Sequence, residues 1–110
     1  FLDNFIKYKK QNRKIVINND FKDFITINHL CLAIKGLINK NINGIFNVSL
    51  GKKVYISEIT KWLNYSIFKK LTFSSTTSDS FTLSNKKLLR RINIKMSKKQ
   101  LEKFCKKLKI

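Results

Sequence analysis

Apolar side chains recur along this chain with two periods, and the alternation between those periods predicts its elements. Over residues 1–10, Leu2, Phe5 and Ile6 share one helical face with Lys and Asp opposite, the pattern of a helix nearing its end. Lys14-Ile15-Val16-Ile17-Asn18 is short, β-branched and bounded by Asn and Asp, so it reads as a strand. Phe24-Ile25-Thr26-Ile27 is a second extended run, leading into a helix from near Asn28, a good N-cap residue. Leu30, Ile34, Leu37 and Ile38 repeat on one face of that helix, and the stretch from Asn41 to Gly44 supplies its stop.

Ile45-Phe46-Asn47-Val48 predicts a compact strand, Ser49-Leu50-Gly51-Lys52-Lys53 a turn, and Val54-Tyr55-Ile56 a further extended stretch. Ser57 is placed to cap a helix over residues 58–63 that turns Ile59, Trp62 and Leu63 inward. Residues 67–73 alternate like a strand, and the Ser/Thr stretch 74–80 reads as a loop. Phe81 and Leu83 belong to an extended segment, and residues 85–91 to a short helix. Ser97 caps a last helix, ending near Leu108, whose apolar face carries Leu101, Phe104, Cys105 and Leu108. Short strands alternating with helices make the fold class α/β, or α+β if the strands do not share one sheet. With 110 residues there is room for one small domain but not two. The first residue already lies inside an amphipathic pattern, which predicts a single partial domain, residues 1–110, cut from a longer chain.

Charge changes the picture less than its size suggests. The formal net charge is +18, from 24 basic and six acidic side chains. Such a chain is a candidate for nucleic acid or an anionic surface. Yet 21 of the basic residues are Lys and three are Arg, and Lys, Ile and Asn together fill 48 of the 110 positions. All three are encoded by A/T-rich codons, so compositional drift accounts for much of the charge. Arg, the side chain best suited to bidentate contacts with guanine or phosphate, is scarce. No apolar run approaches the roughly 18 residues of a membrane span, and no signal-peptide pattern is present. Cys31 and Cys105 are too few for a disulfide framework or metal cluster and are expected as two buried thiols in a reduced, cytoplasmic setting. His29, the one histidine, has no acidic or Cys neighbours and is expected to be structural.

Three stretches resemble the carboxy-terminal half of extended short-chain dehydrogenase/reductases, the NAD-dependent epimerase/dehydratase family. They are Lys22-Asp23-Phe24-Ile25-Thr26-Ile27-Asn28-His29-Leu30; Gly44-Ile45-Phe46-Asn47-Val48-Ser49-Leu50-Gly51 with Ile56-Ser57-Glu58-Ile59 behind it; and Asp79-Ser80-Phe81-Thr82-Leu83-Ser84-Asn85-Lys86-Lys87-Leu88. Their order and spacing fit the family from about Ile15 to Ile94. The resemblance implies the substrate-binding part of an extended Rossmann-type enzyme that modifies nucleotide-sugars as an epimerase, dehydratase or reductase, of the kind used in polysaccharide biosynthesis. NAD or NADP would be held by a dinucleotide-binding domain upstream of this chain, and the complete enzyme is a candidate homodimer. The alternative function is a small basic nucleic-acid-binding protein, with Phe21, Phe24, Phe46 and Phe73 as base-stacking candidates.

The catalytic machinery of such an enzyme is absent here. Gly36, Gly44 and Gly51 are too dispersed for a phosphate-binding loop. Tyr65 and Lys69 have the spacing of the family's Tyr-x-x-x-Lys pair but follow the second motif, whereas the family places that pair well before the first. By resemblance the substrate-binding positions are Lys22, Asn47 and Asp79. Lys22 stands where the family has an Arg reaching the diphosphate; it supplies the charge without the planar fork, or else is one of many solvent-facing lysines. Asp23 ties down the turn or pairs with a basic neighbour, or else lies on the surface, and Phe24 reads as core. No metal and no membrane partner is expected.

Overall fold

Among the described residues, four short strands pair two by two instead of joining one sheet. The structure is a computed structural model that describes residues 3, 6–7, 15–75, 80–108 and 110. Strand β1 (Ile15–Asn18) lies parallel to β4 (Leu71–Ser74), with Ile15 opposite Leu71 and Asn18 opposite Ser74. Strand β2 (Phe21–Lys22) runs antiparallel to β3 (Val54–Tyr55), with Phe21 opposite Tyr55. Between and after them come α1 (Ile27–Asn39), α2 (Ile56–Leu63), α3 (Tyr65–Phe68), α4 (Lys86–Arg91) and α5 (Lys98–Lys107). The result is a small mixed α/β unit of short strands and helices. Of the helix expected over residues 1–10, Asp3, Ile6 and Lys7 are helical and the rest lies outside the described residues.

The start of α1 differs from the sequence expectation. Thr26, not Asn28, is the N-cap: its Oγ1 accepts from the His29 N–H at 3.2 Å and lies 2.9 Å from His29 Nδ1. Both residue types cap helices well. Burial decides between them, because Thr26 is 5 % exposed and its hydroxyl needs a partner, whereas Asn28 is exposed. The paired strand therefore lies at Phe21–Lys22, ahead of residues 24–27; Thr26 keeps an extended backbone, and Ile27 already opens the helix. Substituting Thr26 with Ala is expected to destabilise the chain by about 1 kcal/mol in urea denaturation, with an unchanged m-value. The other end of α1 follows the sequence. Asn41 adopts a left-handed φ of 51°, the Asn41 N–H donates to Ile38 O and the Ile42 N–H to Leu37 O. This is a Schellman stop, with Leu37 and Ile42 packed on the same cluster.

Two further elements depart from the pattern. Helix α2 begins at Ile56 instead of Glu58, and Ser57 is not its cap. The Ser57 N–H is taken by Asn19 Oδ1 at 3.0 Å, and the Tyr55 N–H donates to Glu58 Oε2 at 3.0 Å. The expected strand from residue 67 begins instead with the helical turn α3, because Asn64 Oδ1 accepts from the Ile67 N–H while Asn64 Nδ2 donates to Ile110 O. Helix α5 forms as expected, with Ser97 and Gln100 exchanging side-chain and backbone bonds in a capping box.

The core has two centres. Leu50, Val54, Ile59, Leu63, Leu101 and Cys105 form the first, with Phe24 and Trp62 packed on it. Ala33, Leu88 and Ile92 form the second, which clamps α1 against α4. Met96 touches both. Burial of Cys105 pushes its thiol above the ordinary value, which suits a packing role and not a nucleophile. Cys31, expected to be buried, is exposed, because it lies on the side of α1 turned away from the second cluster.

Candidate functional site

Asp23 follows β2 directly, and its carboxylate is the centre of the site. Oδ1 accepts from the Leu50 N–H at 2.7 Å, and Oδ2 accepts from the Gly51 N–H at 3.0 Å and the Leu83 N–H at 3.2 Å. One side chain thus gathers backbone donors from two remote segments onto a third. Charge-assisted bonds of this kind are short and strong. Of the roles open to Asp23, it takes that of tying down the turn.

Side chains from the gathered segments complete the joint. Asn85 Nδ2 donates to Ser49 O at 2.9 Å and to Leu50 O at 3.1 Å. Ser49 Oγ donates to Leu83 O at 3.0 Å, and Asn47 Nδ2 to Ser84 O at 3.1 Å. These bonds explain why Ile45-Phe46-Asn47-Val48 forms no strand: its neighbour is reached through side chains, with no backbone ladder between them. Gly51 sits at φ +69°, and a Cβ there would approach Asn85 Oδ1 to 3.0 Å, so the turn needs glycine on both counts. Beside the joint, the Phe81 N–H donates to Phe21 O, and the Phe21 N–H to Ser80 Oγ.

Basic and aromatic side chains flank this frame. Lys22 Nζ lies 5.2 Å from the centre of the Phe81 ring, and Lys53 Nζ lies 4.7 Å from that of Phe21, whose edge meets Tyr55. Lys87 Nζ donates to Ile45 O and covers Phe46. Of the positions expected to bind substrate, Lys22 is half-buried at the end of β2, and Asn47 is committed to the Ser84 carbonyl. Asp79 lies outside the described residues. Ser49, Lys53 and Asn85 were not singled out from the sequence. Their roles depend on partners more than 30 residues away or on a ring of another strand, which no local pattern reports.

Other chemistry can be placed as well. Tyr65 opens the four-residue helix α3 and Lys69 is its C-cap, with Lys69 Nζ over the Tyr65 ring face at 5.1 Å and Tyr65 exposed. Gly36 is inside α1 against Ile92, and Gly44 and Gly51 are in separate turns, so the described residues offer no glycine cradle for a dinucleotide. No three His, Cys, Asp or Glu side chains among the described residues come together as metal ligands. None of the described helices is long and apolar enough to cross a membrane. A cavity of about 380 Å³ lined by Phe24, Ile25, Leu63, Leu101, Phe104 and Cys105 has Asp3 as its charged member, a poor environment for an anionic ligand. Comparisons with family models, with curated proteins and with solved structures return no match for this chain.

Proposed function

We propose that the chain is the carboxy-terminal, substrate-binding portion of an NAD(P)-dependent nucleotide-sugar epimerase, dehydratase or reductase of the extended short-chain dehydrogenase/reductase type. One observation carries the reading. The three segments that resemble the family, far apart in sequence, meet at the Asp23 carboxylate in a single hydrogen-bonded joint.

In this reading the joint sets the distance between Lys22 and the residue 47–51 turn, and Lys22 supplies positive charge to the diphosphate of the sugar donor. Its contact with the Phe81 ring restrains the ammonium to one side of β2. Asn47 and Asn85 act one step back, holding the backbone of the two loops together. NAD(P) supplies hydride transfer from a preceding portion of the enzyme, and no residue described here takes a proton or hydride. The chain binds and orients.

Lys22→Ala is expected to weaken binding of a nucleoside-diphosphate sugar by about 10- to 100-fold, the range for losing a hydrogen bond to a charged group. Lys22→Arg is expected to bind at least as tightly as the native residue. Isothermal titration of the polypeptide containing this portion measures both, and equal affinities for all three proteins would count against the reading. A second check is the coding sequence before residue 1, expected to carry a Gly-x-x-Gly-x-x-Gly turn and a Tyr-x-x-x-Lys helix. If neither is found there, the reading fails.

A further inference from the structure

A trough with a basic rim runs along one face of α1. His29, Leu32, Gly36 and Lys40, three or four residues apart, form one wall, and residues 92–95 with Gln100 form the other. Its floor is where Gly36, lacking a side chain, meets Ile92. At the Lys40 end the trough opens into a hollow lined by Arg90 and Arg91. At the His29 end it opens into another, lined by Lys103, Phe104 and Lys107 of α5. Lys40 and Asn93 are shared at the first junction, and His29 and Gln100 at the second, so the three spaces form one channel. From His29 to Lys40 alone it is about 16 Å long, at 1.5 Å per helical residue.

Six cations line the channel, Lys40, Arg90, Arg91, Lys95, Lys103 and Lys107, and no Asp or Glu among the described residues does. The acids that pair with lysines of α5 engage others: Glu58 takes Lys98, and Glu102 takes Lys106. Codon drift explains lysines anywhere on the surface but not this sorting, and two of the chain's three arginines stand together at one end. Lys103 and Lys107, one turn apart on α5, repel each other, a cost that a bound anion removes. Lys40 is already held in place, its Nζ donating to Arg91 O at 3.2 Å.

Shape and spacing select the anion. One strand of nucleic acid carries a phosphate about every 3.4 Å, so 16 Å holds about five of them, close to the number of cations. A concave channel between helices admits one chain, whereas a duplex takes a protruding protein element into its own groove. The rings of His29 and Phe104 line the same channel and offer faces on which bases stack. An acidic peptide would use the charges but not the rings. We infer that this trough binds single-stranded nucleic acid through its phosphate backbone, without sequence preference. It shares no residue with the Asp23 joint, so the inference stands apart from the nucleotide-sugar reading.

Fluorescence anisotropy of a fluorescein-labelled oligothymidylate of about 12 nucleotides tests it, within the usual site sizes for single strands. Six contacts to a single strand predict a log–log salt slope of about −4, a loss of about 300-fold in affinity between about 50 and 200 mM salt. Arg90→Ala with Arg91→Ala removes two contacts, so the slope should ease to about −3 and affinity at about 100 mM salt should fall by at least about tenfold. Lys103→Ala with Lys107→Ala, on a different helix at the other end, should reproduce that change. Lys61→Ala with Lys70→Ala removes the same charge from exposed positions outside the channel. That pair should keep a slope near −4 and an affinity within about twofold of the native protein. All the substituted side chains are exposed, so thermal midpoints should stay level and exclude unfolding as the cause. Equal losses in the channel and control pairs overturn the inference, as does absence of binding at about 50 mM salt. So does tighter binding of a duplex of the same total charge, or equal affinity for a polyglutamate of that charge.

Discussion

Asp23→Ala is expected to lower the unfolding free energy by about 3 kcal/mol, because it leaves three backbone donors without their acceptor at once. The loss is uneven. Leu50 is buried, so its N–H has no ready replacement in water, whereas the exposed Leu83 recovers part of its bond from solvent. Asp23→Asn should fall between the two, since one carbonyl oxygen remains and the amide NH2 turns a donor toward a donor. Urea denaturation measures the loss, and amide hydrogen exchange locates it at Leu50, Gly51 and Leu83. Under the proposed function the same change also weakens nucleotide-sugar binding, although the Asp23 carboxylate is not assigned a contact with the ligand. If Asp23→Ala unfolds at the native denaturant concentration, the joint does not hold these segments.

Leu88→Ala is expected to destabilise by about 2–5 kcal/mol through the cavity it leaves. Leu88 is 0 % exposed and, with Ala33 and Ile92, forms the whole buried centre that clamps α4 on α1. Neither neighbour closes the gap easily. Ala33 is already small, and Ile92 is held against Gly36, where an added Cβ would come within 3.2 Å of its Cγ2. In a domain of this size the loss corresponds to a drop in melting temperature of roughly 10–20 °C. Ile38→Ala on the outer face of the same helix supplies the contrast, expected within about 0.5 kcal/mol of the native chain. Similar effects at the two positions would mean that the packing of α1 is not as described.

What was legible in the sequence is what is settled within a few residues. The Ser97–Gln100 box starts α5, Asn41 stops α1, and Ile15–Asn18 is a strand, because cap chemistry and β-branching act locally. The misplacements come from distant partners. Thr26 wins over Asn28 by burial, β2 forms at Phe21 because Tyr55 lies opposite it, and α3 is shaped by Asn64, whose amide also reaches Ile110. At the site, the short motif around Asp23 was readable, but the lengths of chain between Asp23, Leu50 and Leu83 hid the joint. Helical spacing marked Ile34 and Ile38 as apolar positions. It does not distinguish a face that meets this chain's core from one that stays exposed.

The central claim is that the segments joined at Asp23 form a nucleotide-sugar site. It is tested most directly by titrating the isotopically labelled chain with a nucleoside-diphosphate sugar while following amide NMR shifts, with a duplex oligonucleotide in parallel at about 150 mM salt, where non-specific phosphate contacts are largely weakened. Saturable shifts centred on Lys22, Asp23, Asn47, Leu50, Gly51 and Leu83 are expected for the sugar nucleotide, and none of that pattern for the oligonucleotide. Shifts produced by the oligonucleotide across the lysine-rich faces, with the Asp23 joint silent toward the sugar nucleotide, would contradict it.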